Sequence, residues 1–141
     1  MTMVTSSGHW LAGYAVLLQN GFRAVDHAPP SFSLLVKRFG DAPLPSFPTD
    51  WEDRLGRCGP GLTIVRSDQW PYVESVSQAF SHITAEMDIA SRAVELTSSR
   101  QAQELAPSAY GVFNVVFDGK LLAYHWISEK ALHKLLQERT P

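Results

Sequence analysis

The alternation of apolar and polar positions in the second half of the chain predicts a series of short strands and helices. Apolar residues between Val73 and Met87 recur at intervals of three and four positions, as in an amphipathic helix. Residues 62–66 before this helix and residues 92–96 after it are predicted strands. Because a strand that returns through a helix gives a right-handed crossover, the two strands should lie parallel.

A hairpin and two more helices complete this half of the chain. Residues 98–105 are a predicted short helix capped by Thr97 or Ser98, and residues 128–139 are a predicted capped, amphipathic last helix. Asp118-Gly119 separates two apolar runs, which is a strong signal of a tight antiparallel hairpin. The order strand, helix, strand, helix, hairpin, helix is that of thioredoxins. We therefore predict an α/β fold, with a thioredoxin-like mixed sheet flanked by helices over residues 62–141.

The first half of the chain predicts a helix and a β-hairpin as an appendage over residues 9–39. Residues 9–19 are mostly apolar and are stopped by Asn20-Gly21, which indicates a helix. Residues 22–27 and 31–39 are predicted strands that pair antiparallel across a proline turn.

Two segments are predicted to lie outside these folded parts. Residues 1–8 are polar and lack the features of a secretory signal, so we expect them to be disordered or to derive from a cloning vector. Residues 40–61 contain Pro43, Pro45 and Pro48 and are predicted to be a proline-rich linker with a short helix capped by Asp50.

Composition excludes several classes of function. The 141 residues include 12 Lys and Arg against 14 Asp and Glu, a formal net charge of −2, whereas a nucleic-acid-binding domain usually carries a basic excess. No stretch approaches the roughly 18 apolar residues of a membrane span. The single cysteine, Cys58, excludes an internal disulfide and a cysteine-rich zinc site. We predict a cytoplasmic protein that binds neither nucleic acid nor membranes.

Two longer motifs carry a resemblance to a known family. Residues 61–72 (GLTIVRSDQWPY) and 106–120 (APSAYGVFNVVFDGK) resemble the YoaP-like domain, which is found at the C-terminus of some GNAT-type acetyltransferases. Residues 17–26 and 32–38 resemble the last helix and last two strands of the GNAT domain in such proteins. The resemblance runs from about Tyr14 to the C-terminus. It implies a thioredoxin-like domain preceded by the end of a GNAT domain.

The chain departs from this family at the positions that would carry chemistry. Trp70 stands where the family's motif has cysteine, and an indole cannot form the thiolate that disulfide exchange requires. Cys58 lies before the strand and cannot replace it by sequence position. The glycine-rich loop that would hold the acetyl-CoA pyrophosphate is missing. We assign no catalytic residue and no cofactor, and we favour a protein that is not an enzyme.

The candidate ligand site surrounds Trp70. Aromatic walls with a few polar groups are typical of small-molecule sites, and a helix N-terminus at this place would favour an anion. Thioredoxins keep a cis-proline eight residues before the hairpin glycine. That position is Gly111 here, which predicts room there for a ligand or for the Trp70 ring, and a trans peptide bond at Pro107. The candidate ligand-binding residues are Ser67, Asp68, Gln69, Trp70, Tyr72, Tyr110, Gly111 and Trp126.

Three functions remain open at this point. The first is a non-catalytic thioredoxin-like module that binds a small molecule or a protein partner near Trp70. The second is an accessory or remnant part of a GNAT-type N-acetyltransferase. The third is an enzyme of unknown type with a thiol-free site, in which Asp68, Tyr72 or Tyr110 transfers the proton. The five histidines lack metal-ligand spacing. We also predict that the strand between Phe32 and Phe39, whose apolar edge is expected to be exposed, either docks on the C-terminal domain or forms a homodimer.

Overall fold

The computed structural model describes residues 1–7, 11–69 and 72–140, and the chain forms two compact units. Unit 1 is Met1–Thr49 and unit 2 is Asp50–Pro141. The sequence analysis placed the short helix after the prolines in a linker. The structure places it in unit 2, because its buried residues pack within that unit.

Unit 1 is a three-stranded antiparallel sheet with one helix. Its elements are β1 (Thr2–Thr5), α1 (Tyr14–Gln19), β2 (Arg23–Ala28) and β3 (Phe32–Val36). The strand order is β1-β3-β2. Leu17 of α1, Phe22 and Leu35 of β3 form the buried cluster. The predicted β2–β3 hairpin is confirmed, and α1 ends before Gly21, whose φ of +81° favours glycine.

Strand β1 corrects two sequence predictions. Thr2–Thr5 is not disordered, because the segment pairs along β3 from Thr2 opposite Val36 to Thr5 opposite Ser33. Its side chains alternate, and Met3 packs against the cluster of unit 1. β3 therefore lies between two strands, and both of its edges are paired over Ser33–Val36. The reason given for a dimer through this strand does not hold, since β1 already occupies the edge that was expected to be exposed.

Unit 2 is a four-stranded mixed sheet with helices on both faces. Its strand order is β5-β4-β6-β7, in which β4 and β5 are parallel and the other neighbouring pairs are antiparallel. This arrangement confirms the predicted α/β class and the mixed sheet. The elements are α2 (Trp51–Arg57), β4 (Leu62–Ser67), α3 (Val73–Glu86), β5 (Ser91–Leu96), α4 (Ser99–Leu105), β6 (Phe113–Phe117), β7 (Lys120–Ala123) and α5 (Glu129–Gln137).

The two faces of this sheet bury separate apolar clusters. Ile64 of β4 packs on one side with Phe80 of α3 and Leu132 of α5. Val65, the next residue, packs on the other side with Cys58 and with Ala102 of α4. Successive residues of a strand point to opposite faces, so α3 and α4 cover opposite sides of the sheet. The candidate site lies where the chain leaves the sheet toward these two opposite faces.

The local signals for the hairpin turn and for two caps were reliable in unit 2, whereas the predicted cap by Asp50 was wrong, because its carboxylate accepts from Arg54 Nε and makes no capping hydrogen bond. Asp118 and Gly119 have φ of +47° and +73°, as a two-residue hairpin turn requires. The Ser98 and Ser128 hydroxyls accept hydrogen bonds from the backbone N–H groups of Gln101 and Ala131, so both predicted serine caps are confirmed. No helix in the described ranges is both long and apolar enough to cross a bilayer.

Candidate functional site

The candidate site lies where the two parallel strands of unit 2 end. β4 ends at Ser67 and β5 ends opposite it at Leu96. The chain leaves β4 toward α3 on one face and leaves β5 toward α4 on the other face. Two connections that diverge in this way open a crevice at the carboxyl ends of the strands, which is where α/β sheets bind ligands.

A cavity of about 340 Å³ occupies this crevice. This volume is within the range of small-molecule sites, which is roughly 300–1,000 Å³. Ser67, Asp68 and Gln69 line it from the end of β4, as the sequence analysis predicted for these three residues. The other described lining residues come from β5 and α4 and were not predicted: Glu95, Leu96, Thr97, Ser98, Ser99 and Ala102.

The Ser67 hydroxyl is the most informative group in the cavity. Ser67 is 5% exposed, and its Oγ has no hydrogen-bond partner among the described residues. Its backbone is fixed, because its N–H donates to the carbonyl oxygen of Val112 at 2.9 Å. Buried hydroxyl groups are almost always hydrogen-bonded, so the Ser67 hydroxyl needs a partner that the described residues do not supply.

The charges of the lining argue against an anionic ligand. Asp68 and Glu95 both line the cavity, and no Lys or Arg is among its described lining residues. Neither carboxylate forms an ion pair with a described basic side chain. The sequence analysis expected a helix N-terminus to favour an anion. The two carboxylates reverse that expectation, because like charges repel and a cation is attracted.

The remaining predicted site residues are not gathered in this cavity. Trp70 lies outside the described residues, so its predicted place in the site stays a prediction. Tyr72 precedes α3 and is 63% exposed. Trp126 is 51% exposed and lines a different cavity, between α3 and the start of α5. Tyr72, Tyr110 and Trp126 are not among the described lining residues of the cavity at the ends of β4 and β5. These three residues therefore do not form the predicted aromatic wall.

Tyr110 and Gly111 belong to the loop that supports the end of β4. The Tyr110 carbonyl oxygen accepts a hydrogen bond from Asn114 Nδ2 at 2.8 Å, and Asn114 Oδ1 lies 2.5 Å from Ser108 Oγ. A Cβ on Gly111 would lie 3.4 Å from the Cβ of Ala102. Gly111 therefore packs against α4 and does not leave the predicted room for a ligand. The peptide bond at Pro107 is trans, as predicted.

Cys58 is placed as an inert thiol. It is 7% exposed at the end of α2, and its Sγ donates to the carbonyl oxygen of Arg54 at 3.6 Å. Burial raises the pKa of the Cys58 thiol, and the positive charge of Arg92 offsets part of this increase. The described residues also contain no group of three or more His, Cys, Asp or Glu side chains that could hold a metal ion.

Sequence reasoning could have found the second wall of the cavity. Because the two strands are parallel, the residues that follow each strand meet at the same edge of the sheet. Thr97, Ser98 and Ser99 directly follow the predicted strand 92–96, and their hydroxyls are the signal that was missed. Ser98 was noted as a helix cap alone.

Comparison with protein-family models, curated proteins and solved structures gives no match for this chain. The resemblance to the YoaP-like domain therefore rests on the two sequence motifs and remains a prediction.

Proposed function

We propose that this chain is a non-catalytic module of thioredoxin-like type that binds a small polar molecule with an amino group. The proposed site is the cavity at the ends of β4 and β5. The observation that carries the proposal is the pair of carboxylates that line this cavity, Asp68 and Glu95, with no Lys or Arg among its described lining residues. Consistent with the single buried cysteine, we propose the cytoplasm as its location.

The lining defines the ligand class. A protonated amine would be attracted by Asp68 and Glu95, which belong to the two opposed walls. A hydroxyl group on the same ligand could pair with Ser67 Oγ. An amino alcohol or an amino sugar combines both groups and is small enough for about 340 Å³.

No catalytic residue is proposed, because the cavity has no thiol among its described lining residues. Cys58, the only cysteine, is buried at the C-terminal end of α2 and is not among the described lining residues of the cavity. A thiol-based reaction in the cavity is therefore not proposed. No observation of the described residues specifically favours the acetyltransferase alternative or the thiol-free enzyme. Both alternatives are therefore kept as possible outcomes of the test.

The proposal can be tested by thermal shift and calorimetry with ethanolamine, glucosamine, glutathione and acetyl-CoA as probes. A probe at about 100 times its dissociation constant stabilises the fold by about 2.7 kcal/mol, which a thermal shift detects. We expect a shift with an amine probe. Asp68→Asn should weaken that binding at least tenfold, whereas Asp88→Asn, the same charge change at the far end of α3, should not.

Ser67→Ala separates ligand binding from folding. Its hydroxyl makes no hydrogen bond with a described residue, so the substitution should leave the stability of the free protein unchanged or slightly raised. It should nevertheless weaken amine binding. Ser81→Ala in α3 is the matched control outside the cavity. Binding of acetyl-CoA alone would overturn the proposal in favour of the acetyltransferase alternative, and no shift with either amine would also overturn it.

A further inference from the structure

Unit 1 contains a second cavity that the proposed function does not use. It has a volume of about 380 Å³ and lies on the face of the small sheet opposite α1. Arg23 and Val25 of β2 and Val36 of β3 form its floor, and Arg38 follows β3. Gly21 and Leu44 complete the lining.

Positive charge dominates this cavity. Arg23 and Arg38 both line it, and neither forms an ion pair with a carboxylate in the described part of the chain. Two cations at one cavity repel each other, and an anion bound between them would relieve that repulsion.

The acidic residues of unit 1 do not neutralise these cations. Asp26 accepts hydrogen bonds from the backbone N–H groups of His27 at 2.8 Å and Phe47 at 2.7 Å and forms no ion pair with a described basic side chain. Asp41 is exposed and makes no ion pair with a described residue. Neither carboxylate lines the cavity.

Arg38 is held in position by the segment that follows it. Its Nε donates to the Gly40 carbonyl oxygen at 3.3 Å and its Nη2 donates to the Ala42 carbonyl oxygen at 3.4 Å. These two bonds restrict the guanidinium and leave Nη1 without a described partner. A guanidinium that is already ordered loses less entropy when it binds an oxyanion.

The apolar lining decides between an inorganic and an organic anion. Val25, Val36 and Leu44 offer aliphatic surface beside the guanidinium groups. A hydrated inorganic ion gains nothing from such surface, whereas the body of an organic anion would bury apolar area there. We infer that the unit 1 cavity binds an organic carboxylate with a compact apolar body, its oxyanion between Arg23 and Arg38.

The test uses the full chain at low salt, with hexanoate and benzoate as probes and inorganic phosphate as the comparison. We expect saturable binding of the organic probes, seen in NMR as shifts of the Arg23, Val36 and Arg38 amide resonances. Phosphate should bind at least tenfold more weakly. Replacing both arginines (Arg23→Gln with Arg38→Gln) should weaken hexanoate at least tenfold, because a charge-assisted hydrogen bond is lost at each position.

Two further variants keep the result unambiguous. Lys120→Gln, an exposed charge change in unit 2, should leave hexanoate binding unchanged. Leu44→Asp retains both arginines but brings a carboxylate to the cavity wall. Leu44 is 52% exposed, so the fold should tolerate it, and hexanoate binding should be lost. The inference is overturned if no probe binds saturably, if phosphate equals hexanoate, or if the arginine and Leu44 variants bind as the parent chain does.

Discussion

Arg54 in α2 and Gln103 in α4 are joined by a hydrogen bond of 2.7 Å from the guanidinium Nη1 to the carbonyl oxygen. The same Nη1 donates to the Ala106 carbonyl oxygen at 3.2 Å, and Nε pairs with Asp50 at 2.8 Å. Arg54 is only 6% exposed. This side chain therefore satisfies the carbonyl groups at the end of α4, which no residue of α4 itself could reach.

Replacing Arg54 with leucine should lower the free energy of unfolding by about 2–4 kcal/mol, because it leaves buried carbonyl groups and Asp50 without their donor. Urea denaturation measures this loss. Arg100→Leu is the matched control. Arg100 pairs with Glu104 on the exposed face of α4, where an ion pair contributes only about 0.5 kcal/mol. Equal losses in the two variants would contradict the structural role of Arg54.

Gly61→Ala should destabilise unit 2 by more than about 1 kcal/mol, since alanine is strained at positive φ. Gly61 has a φ of +80°, and a Cβ there would lie 2.4 Å from the Ala90 carbonyl oxygen. Gly56→Ala is the contrasting variant, because Gly56 lies inside α2 with open space around it. Alanine there should stabilise the protein by about 0.5–1 kcal/mol. Thermal melts of both variants check the opposite signs.

Cys58 should react slowly with a thiol reagent at neutral pH. The reactive form is the thiolate, and burial both raises the pKa of this thiol and blocks access to it. The rate of reaction with Ellman's reagent should be far below that of the same chain in denaturant. A rate in the native protein equal to that of the unfolded chain would show that Cys58 is accessible.

Acid should weaken the attachment of residues 40–49 to the sheet of unit 1. Hydrogen bonds from the Phe47 and His27 backbone N–H groups lower the pKa of Asp26 from its ordinary value of 3.8. A carboxyl whose pKa is lowered by folding stabilises the native state above the ordinary value. This contribution is lost as the pH falls through the lowered pKa.

NMR provides the measurement for this pH dependence. The Phe47 amide resonance should titrate with the Asp26 carboxyl group, at a pH below the ordinary value of 3.8. Asp26→Asn should remove this titration, whereas Asp41→Asn should leave it intact. If the Phe47 resonance titrates identically in both variants, the hydrogen bond from Phe47 to Asp26 is not responsible.

The parts of the fold that the sequence could predict were those with a strong local cause. The helix at Val73–Glu86 follows from its apolar spacing, and the turn at Asp118-Gly119 follows from the residues that tolerate positive φ. The hydroxyl groups of Ser98 and Ser128, as helix caps, predicted where two helices begin. Each of these signals lies within a few residues of the structure that it predicts.

The parts that the sequence could not predict depend on distant partners. Strand β1 has only four residues, and the reason it forms is the edge of β3, far along the chain. Ser67, Asp68 and Gln69, which were predicted from their place at the end of a predicted strand, line the cavity, but the wall from Glu95 to Ser99 could be found only from the strand pairing. Trp126 was predicted to belong to the same site, but it lies just before α5 and lines a different cavity.

The position of β1 in its sheet has a consequence for synthesis. Thr2 precedes its register partner Val36, on the last strand of unit 1, by 34 residues. The β2–β3 hairpin closes a short loop and should form early, whereas β1 must wait unpaired until β3 has left the ribosome. A stretch of nascent chain with an open strand edge is a substrate for chaperones. Within unit 1, the strand that is made first is thus the last one to join the sheet.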